Sequence, residues 1–353
     1  MTSDPNISKG AAAASHVPTS SQLDEVTLVR SLASHRVDPR WLRVLHLGMG
    51  QRPIPIASAT NATLLGSLPL ALVETRLFGR FLVSLPYLNT AGVVADNDDD
   101  ARRLIDEAVA MADRLDVRYL ELRHERLVEH PKLTGLNAGK VHLRLPLPAT
   151  VDELWNGLKA KVRNQIRKGE RQPEAAAFWG RHDLLNEFHD VFSRNMRDLG
   201  TPAYGRRFFR AILDEFPEEA ELCVIRHGKR AVAGALLFHQ NDVTQVPSAG
   251  SLKRLNSTNA NMLLYWQLLR RAVVKGSRMF DFGRSSKNSN THRFKLQWGA
   301  DEHPAAWQYY VRRGRLDAMR PENSRFQSAI RVWRMLPLFV TRLLGPAIVK
   351  GIP

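Results

Sequence analysis

VTQVPSAGSLKRLNSTNANMLLYWQLLRRAVVKGSRMFDF, residues 243–282, reads as a strand (243–250), a long helix (259–275) and a short strand (279–282). Just upstream, residues 222–226 and 231–240 form a strand pair around the turn His227-Gly228-Lys229. Residues 183–199 and 205–216 before them read as helices, and residues 307–311 as a last strand. Helices, strands, long helix, strand is the order of a mixed α/β unit. That unit opens near Thr150, where Thr150 and Glu153 make a capping box. The helix that follows carries Lys159, Lys161, Arg163, Arg167 and Lys168, and residues 178–181 make a short strand.

The first half repeats the plan in shorter form. Residues 23–30 (LDEVTLVR) are strand-like, and residues 79–94 give a strand, a Pro-Tyr-Leu-Asn loop and a glycine turn. NDDD at 97–100 caps a helix over 101–115, with Leu104, Ile105, Ala108, Val109 and Ala112 on one face. Residues 117–122 and 140–147 (KVHLRLPL) are the next strands. The expected architecture is therefore α/β with mixed sheets, in two tandem domains at 23–149 and 150–318. A polar extension occupies 1–22. A basic amphipathic helical tail covers 319–353, with Phe326, Ile330, Trp333, Val340 and Leu344 near one face and a break at Pro337. It could cover the protein's own surface or lie on a membrane.

Composition sets the class. The chain has 353 residues and is 44% hydrophobic, enough for real cores, and 24% of it is charged, an ordinary globular share. Lys and Arg number 51 against 35 Asp and Glu, a formal net charge of +16, which favours polyanions or phosphate-bearing partners. The single cysteine, Cys223, lies in an apolar run and reads as a buried thiol. With no oxidative stapling, no signal-peptide core and no charge-free apolar run of about 18 residues, a cytoplasmic chain is expected.

Four clusters can carry chemistry. FDFGRSSKNSNTHRFKLQWG (280–299) places Asp281, Arg284 and Ser285 at the end of a strand. A polar loop, SSKNSNT, then leads to His292, Phe294, Lys295 and Trp298. Arg284 suits a phosphate or carboxylate, and a lysine beside an aromatic ring suits developing negative charge. Asp281 and Arg284 also suit a loop-fixing ion pair. In KAKVRNQIRKGER (159–171), Lys159, Arg163 and Arg167 share a helical stripe, either a phosphate site or a solvated face. LGTPAY (199–204) is a turn whose Tyr204 hydroxyl can enter a cleft. SAGSLKRLNSTNAN (248–261) ends at a helix N-terminus, where an anion or plain N-capping fits. There is no Walker A motif, HExxH or GxSxG. The sole match to an acetyl-CoA pyrophosphate signature, residues 342–347, sits in the tail, and Pro346 removes one of its amides.

KVRNQIRKGER (161–171), LGTPAY (199–204), the asparagine-rich lead into NMLLYWQLL, and FDFGRSS…RFKLQWG together resemble the FemAB-like acyltransferases. The resemblance is to the group associated with exosortase and exopolysaccharide loci, and it covers about residues 150–311. It implies two tandem GNAT-like domains with a cleft between or beside them, and an acyl-CoA or aminoacyl-tRNA co-substrate. Founding members of the family transfer amino acids from aminoacyl-tRNA to a cell-wall precursor. A Phe-Lys pair facing the reacting centre in such members corresponds to Phe294-Lys295. Lys295 is then expected to steady charge on the tetrahedral intermediate, and Arg284, Arg163 and Arg167 to hold anionic groups. Tyr204, Asn261 and Tyr265 would line the cleft. Asp281 and His292 are both open as general base.

The expected function is acyl or aminoacyl transfer to an amine or hydroxyl of an anionic glycan, peptidoglycan or exopolysaccharide precursor, without a metal. tRNA as partner and peripheral contact of the tail with the inner membrane go with it. The rival is a non-enzymatic basic module that binds RNA or an anionic membrane.

Overall fold

The structure, a computed structural model, describes residues 38–60, 63–314 and 324–352. The extension at 1–22, the strand expected at 23–30 and residues 319–323 of the tail lie outside the described residues.

The first sheet runs β1 (Arg52–Thr60), β2 (Thr63–Thr75), β3 (Gly79–Ser84), β5 (Tyr119–His124), β14 (Ala306–Val311) and β6 (Gly135–Asn137), with β4 (Val94–Ala95) beside β2. The second runs β13 (Asp301–Pro304), β7 (Lys140–Pro146), β12 (Met279–Ser286), β11 (Val243–Ser251), β10 (Arg230–Gln240), β9 (Ala220–His227) and β8 (Ala175–Gly180). Each sheet holds one parallel pair, β3 with β5 and β11 with β12; the other pairings are antiparallel. Each parallel pair is joined by a crossover helix, α2 (Asp98–Arg114) or α7 (Ala260–Val274). The duplicated α/β plan is present.

The sheets do not divide the chain at 149/150. β7, expected in the first domain, pairs with β12; β14, expected in the second, pairs with β5. Each half lends its partner the antiparallel strand next to the crossover unit. Strand patterning reports which face is buried but not which neighbour is paired, so the exchange is invisible to local reading.

Local chemistry explains most boundaries. The Asn97 side chain caps α2 by accepting the N–H of Asp100, and Thr150 with Glu153 completes the capping box of α3 (Val151–Gly157). The helix expected beyond Thr150 breaks at Leu158 and Lys159 and resumes as α4 (Ala160–Glu170). Pro53 and Pro55 disguise β1; they are tolerated because, among the described residues, β1 is an edge strand that pairs with β2 alone. The polar loop after residue 284 is shorter than expected. β12 continues to Ser286, and Ser289 caps α8 (Asn290–Leu296) by accepting the N–H of His292.

Two cores enclose the second sheet. One face packs on α3, α4 and α7 through Val162, Ile166, Leu264, Leu268 and Phe280. The other packs on α1 (Arg40–Met49), α5 (Leu185–Leu199) and α6 (Arg206–Glu215) through Trp41, Phe188, Phe208, Phe209 and Phe216. Each fully buried phenylalanine contributes roughly 2–3 kcal/mol. Cys223 lies fully buried in the first of these cores, and burial pushes its thiol up.

The tail forms α9 (Ser324–Met335) and α10 (Leu338–Val349), separated at Pro337. It packs on α5: Arg342 pairs with Asp190 and donates to Ser193 Oγ at 2.8 Å, and Arg334 donates to the Leu199 carbonyl at 3.0 Å. Thr341, Gly345 and Val349 are buried, whereas Leu344, expected on one apolar face with Val340, is exposed. Gly345 and the proline after it decide this: a Cβ there would meet the Ala203 backbone at 3.1 Å, so the helix approaches along its smallest side.

Candidate active site

The centre of the second sheet is shaped by a bulge in β12. The β12–β7 register shifts between Asp281 and Arg284, with Gly283 in the left-handed region at φ +73°. Asp281 fixes one side, its Oδ1 accepting the Gly283 N–H at 2.6 Å. Lys295, from α8, fixes the other; its Nζ donates to the carbonyls of Gly283 at 3.0 Å and Arg284 at 3.2 Å. Lys295 is 5% exposed. Burial pushes its ammonium down to about 8, against the pull of Asp281.

Beyond Asp281 the sheet opens. β11 and β12 pair only through Val243–Met279, Thr244–Phe280 and Gln245–Asp281, and then part. A cavity of about 580 Å³ lies toward the far end of β11, lined by Ser251, Asn256, Asn259, Asn261, Gln165 and Phe294 among others. Asn259 and Asn261 stand at the start of α7, and Gly169 of α4 lies 3.0 Å, at an added Cβ, from the Asn259 carbonyl. The lining is thus rich in amides, and Gln165 Oε1 is buried without a partner among the described residues.

A second cavity of about 540 Å³ lies between the two sheets, bordered by Asn89, Gly92, His124, Glu125, Arg144 and Asp281 among others. Arg144 bridges its carboxylates: Nε donates to Asp281 Oδ2 at 3.1 Å, and Nη2 meets Glu125. Burial pushes Glu125 up, but the hydrogen bond and charge of Arg144 outweigh it and hold the carboxyl below its usual range.

His124 is a group that sequence reading missed. Gln308 Nε2 donates to the Val128 carbonyl and its Oε1 accepts the Val128 N–H, both at 2.8 Å, which fixes the amide orientation. The same Oε1 lies 2.9 Å from His124 Nδ1, so Nδ1 carries the proton and Nε2 the lone pair. Nε2 has no partner among the described residues, and burial pushes the imidazole down to about 4. The signal was present in LELRH, a fully buried strand that carries Glu121, Arg123 and His124.

The expected site residues divide. Asp281 borders the inter-sheet cavity, and Asn261 and Phe294 border the one at the far end of β11. Lys295 borders neither and holds the bulge. Arg284 stacks on Trp307, its Cζ 3.0 Å from a ring centroid, and is lowered by burial and by Arg123. It forms no ion pair with Asp281, whose partner is Arg144. Ser285 is buried, its Oγ without a partner among the described residues.

Other expectations are corrected. Arg163 donates to the Asn156 carbonyl at 3.2 Å, and Arg167 lies over Trp155; both finish the end of α3 and line neither cavity. Tyr204 sits among Tyr87, Phe208 and Phe209, and Tyr265 stacks on Phe282 at 5.8 Å. Trp298 is buried beside Tyr265 and Phe294. These rings are core, because their apolar bodies outweigh one polar tip. His292 binds Glu302 at 2.8 Å on β13, away from both cavities. The cations expected to converge on Lys295 therefore do not.

Residues 157–296 match the family described as acetyltransferase (GNAT) domain. The structure of FemX is similar over 82% of this chain and 96% of that one, at 14% identity and a TM-score of 0.62. L-PGS from Bacillus licheniformis is similar over 91% of this chain and 97% of that one, at 14% identity and a TM-score of 0.57. A conserved protein of unknown function from Bacteroides thetaiotaomicron is similar over 84% of this chain and all (100%) of that one, at 10% identity and a TM-score of 0.56. No curated protein matches this chain. At these identities the likeness is one of fold. The matched residues run through α4 to α8 and include β8 to β12, so the likeness to the acetyltransferase (GNAT) domain falls on the second sheet, and the first sheet repeats its plan.

Proposed function

We propose that the chain transfers an acyl or aminoacyl group to an amine or hydroxyl of a cell-envelope or exopolysaccharide precursor. The observation that carries this reading is the parting of β11 and β12 after Gln245–Asp281, with an amide-lined cavity on one side and a carboxylate-bearing cavity on the other. A strand that loses its partner presents free N–H and C=O groups, and an extended acyl chain can take the missing strand's place. The start of α7, with Asn256, Asn259 and Asn261 around it, suits the phosphate of an acyl-CoA or an aminoacyl-tRNA.

The acceptor enters from the inter-sheet cavity. Glu125 and Asp281, oriented by Arg144, hold an ammonium or hydroxyl, and the neutral His124 beside them is the group best suited to receive its proton. The acceptor's lone pair attacks the acyl carbon, and the thiol or ribose oxygen leaves with the electron pair of the broken bond. Lys295 borders neither cavity; by donating to the Gly283 and Arg284 carbonyls it holds the bulge that positions Asp281 and so acts as a positioning residue. The resemblance to FemAB-like enzymes and the fold likeness to FemX support an envelope-side acceptor.

The test is donor binding. CoA and aminoacyl-tRNA are titrated separately into wild type and Asn261→Asp. The added charge should weaken the true donor at least about tenfold by repelling its phosphate. Acyl mass is then sought on amine and hydroxyl acceptors. Binding of neither donor, with no acyl product, refutes the proposal.

A further inference from the structure

The tail packs on α5 along one side only. Its other side carries Val332, Met335, Phe339 and Leu343, exposed by 58%, 80%, 73% and 77%. Val332 and Met335, three apart, share a face of α9, and Phe339 and Leu343, four apart, share a face of α10, so each helix presents an exposed apolar strip. A soluble surface rarely leaves such strips uncovered.

The tail's own charge has one sign, although Asp190 of α5 pairs with Arg342. From Ser324 to the end of the sequence there is no Asp or Glu. Arg331, Arg334 and Lys350 are exposed on or beside these helices. Arg206 and Arg207 are exposed at the start of α6, which abuts α10 where Gly205 meets Pro346, 3.2 Å from an added Cβ. Among the described residues, none of Arg206, Arg207, Arg331 and Lys350 has an ion-pair partner. Apolar strips bounded by unpaired cations are complementary to a bilayer surface with anionic headgroups, where side chains enter the acyl boundary and cations meet phosphate. Among the described residues no helix is long and apolar enough to cross a membrane, so this contact lies in the surface plane.

We infer that α9 and α10 dock the protein on an anionic lipid bilayer, with Val332, Met335, Phe339 and Leu343 inserted and the flanking cations on headgroups. The docked face lies beside the reaction cleft, because Arg334 of α9 and Leu199 of α5 border the 580 Å³ cavity. On the acyl-transfer reading, a lipid-anchored substrate then meets that cavity at the bilayer surface; the docking itself does not depend on that reading.

The full chain is tested by co-sedimentation with vesicles of phosphatidylcholine, with and without phosphatidylglycerol. Wild type should partition onto the mixed vesicles and release in high salt. Met335→Asp/Phe339→Asp/Leu343→Asp should lose at least about tenfold in partition, with an unchanged melting temperature, since these side chains are exposed. Arg206→Glu/Arg331→Glu should lose the preference for phosphatidylglycerol while the strips remain intact. Failure of wild type to bind mixed vesicles, or a triple variant that binds like wild type, overturns the inference. So does a wild-type dimer that the triple variant makes monomeric with no vesicle binding, for then a second copy covers the strips. Donor titrations are independent of vesicles, so failure here leaves the acyl-transfer reading standing.

Discussion

Replacing Lys295 by methionine should change how stability responds to alkaline pH. The ammonium is enclosed, donates to two bulge carbonyls, and is pushed down by burial to about 8 from its ordinary 10.5. The folded protein therefore gives up this proton before the unfolded chain does. Between those two values the unfolded state binds more protons, so unfolding free energy rises with pH in that window. Below pH about 8 the cost of burying the charge is fully present. The difference is worth roughly 3 kcal/mol at 1.36 kcal/mol per pH unit. The methionine side chain does not titrate, so the variant lacks this response, and every other titrating group is shared. Stability of wild type minus variant should therefore climb by roughly 2–3 kcal/mol from pH 7 to pH 10. Its sign at pH 7 alone decides nothing, because lost charge-assisted hydrogen bonds, about 1.5–3 kcal/mol each, oppose relieved desolvation. Urea unfolding of both proteins at pH 7, 8.5 and 10 measures it. A difference that stays flat refutes a buried ammonium at the bulge.

Burial also pushes His124, His142 and His189 down to about 4, so each is neutral in the fold and takes up a proton on unfolding below its ordinary 6.5. Stability should fall between pH 6.5 and 4, and urea unfolding of His189→Asn should show a shallower fall than wild type; equal slopes would count against it. Gly283→Ala places a side chain at φ +73° and 3.0 Å from Asn89 Nδ2, so it should cost about 1–2 kcal/mol. Thermal unfolding checks this, and an unshifted melting temperature would mean that the bulge is not strained.

What could be read from the sequence was local. Thr150 with Glu153 and Asn97 before its acidic run satisfy backbone groups within a few residues, and Gly228 turns the chain locally between β9 and β10, so these elements stand as expected. The run from β11 through α7 to β12 carried its period unbroken. What could not be read depends on partners far away in sequence. Arg284 looked like an anion holder because its stacking partner, Trp307, comes from β14 in the other sheet. Arg163 looked like part of a phosphate stripe because the carbonyls it caps become free only when the chain breaks at Leu158. His124 was hidden in a strand whose burial is decided by β14 and by Gln308.

The strand exchange bears on how such a cleft can work. β7 is hydrogen-bonded to β12 on one side and β13 on the other, and β14 to β5 and β6. Separating the two halves of the chain near residue 150 would break these ladders, at a cost far above that of an ordinary domain motion, so the two sheets fold as interdependent units. Trp307 adds a second lock at the seam. Its indole donates to the Asn89 carbonyl at 3.0 Å, and guanidiniums from both sheets, Arg123 and Arg284, lie over it at 4.0 and 3.0 Å. Glu121 neutralises Arg123, whereas Arg284 has no acceptor for Nη1 among the described residues. Arg123 and Arg284 thus share the one carboxylate of Glu121 at the half-buried seam. The cleft already has two openings in this arrangement, one at each cavity, through which donor and acceptor can reach it on the proposed reading. Selectivity then rests on the lining residues and on which substrates are presented at those openings.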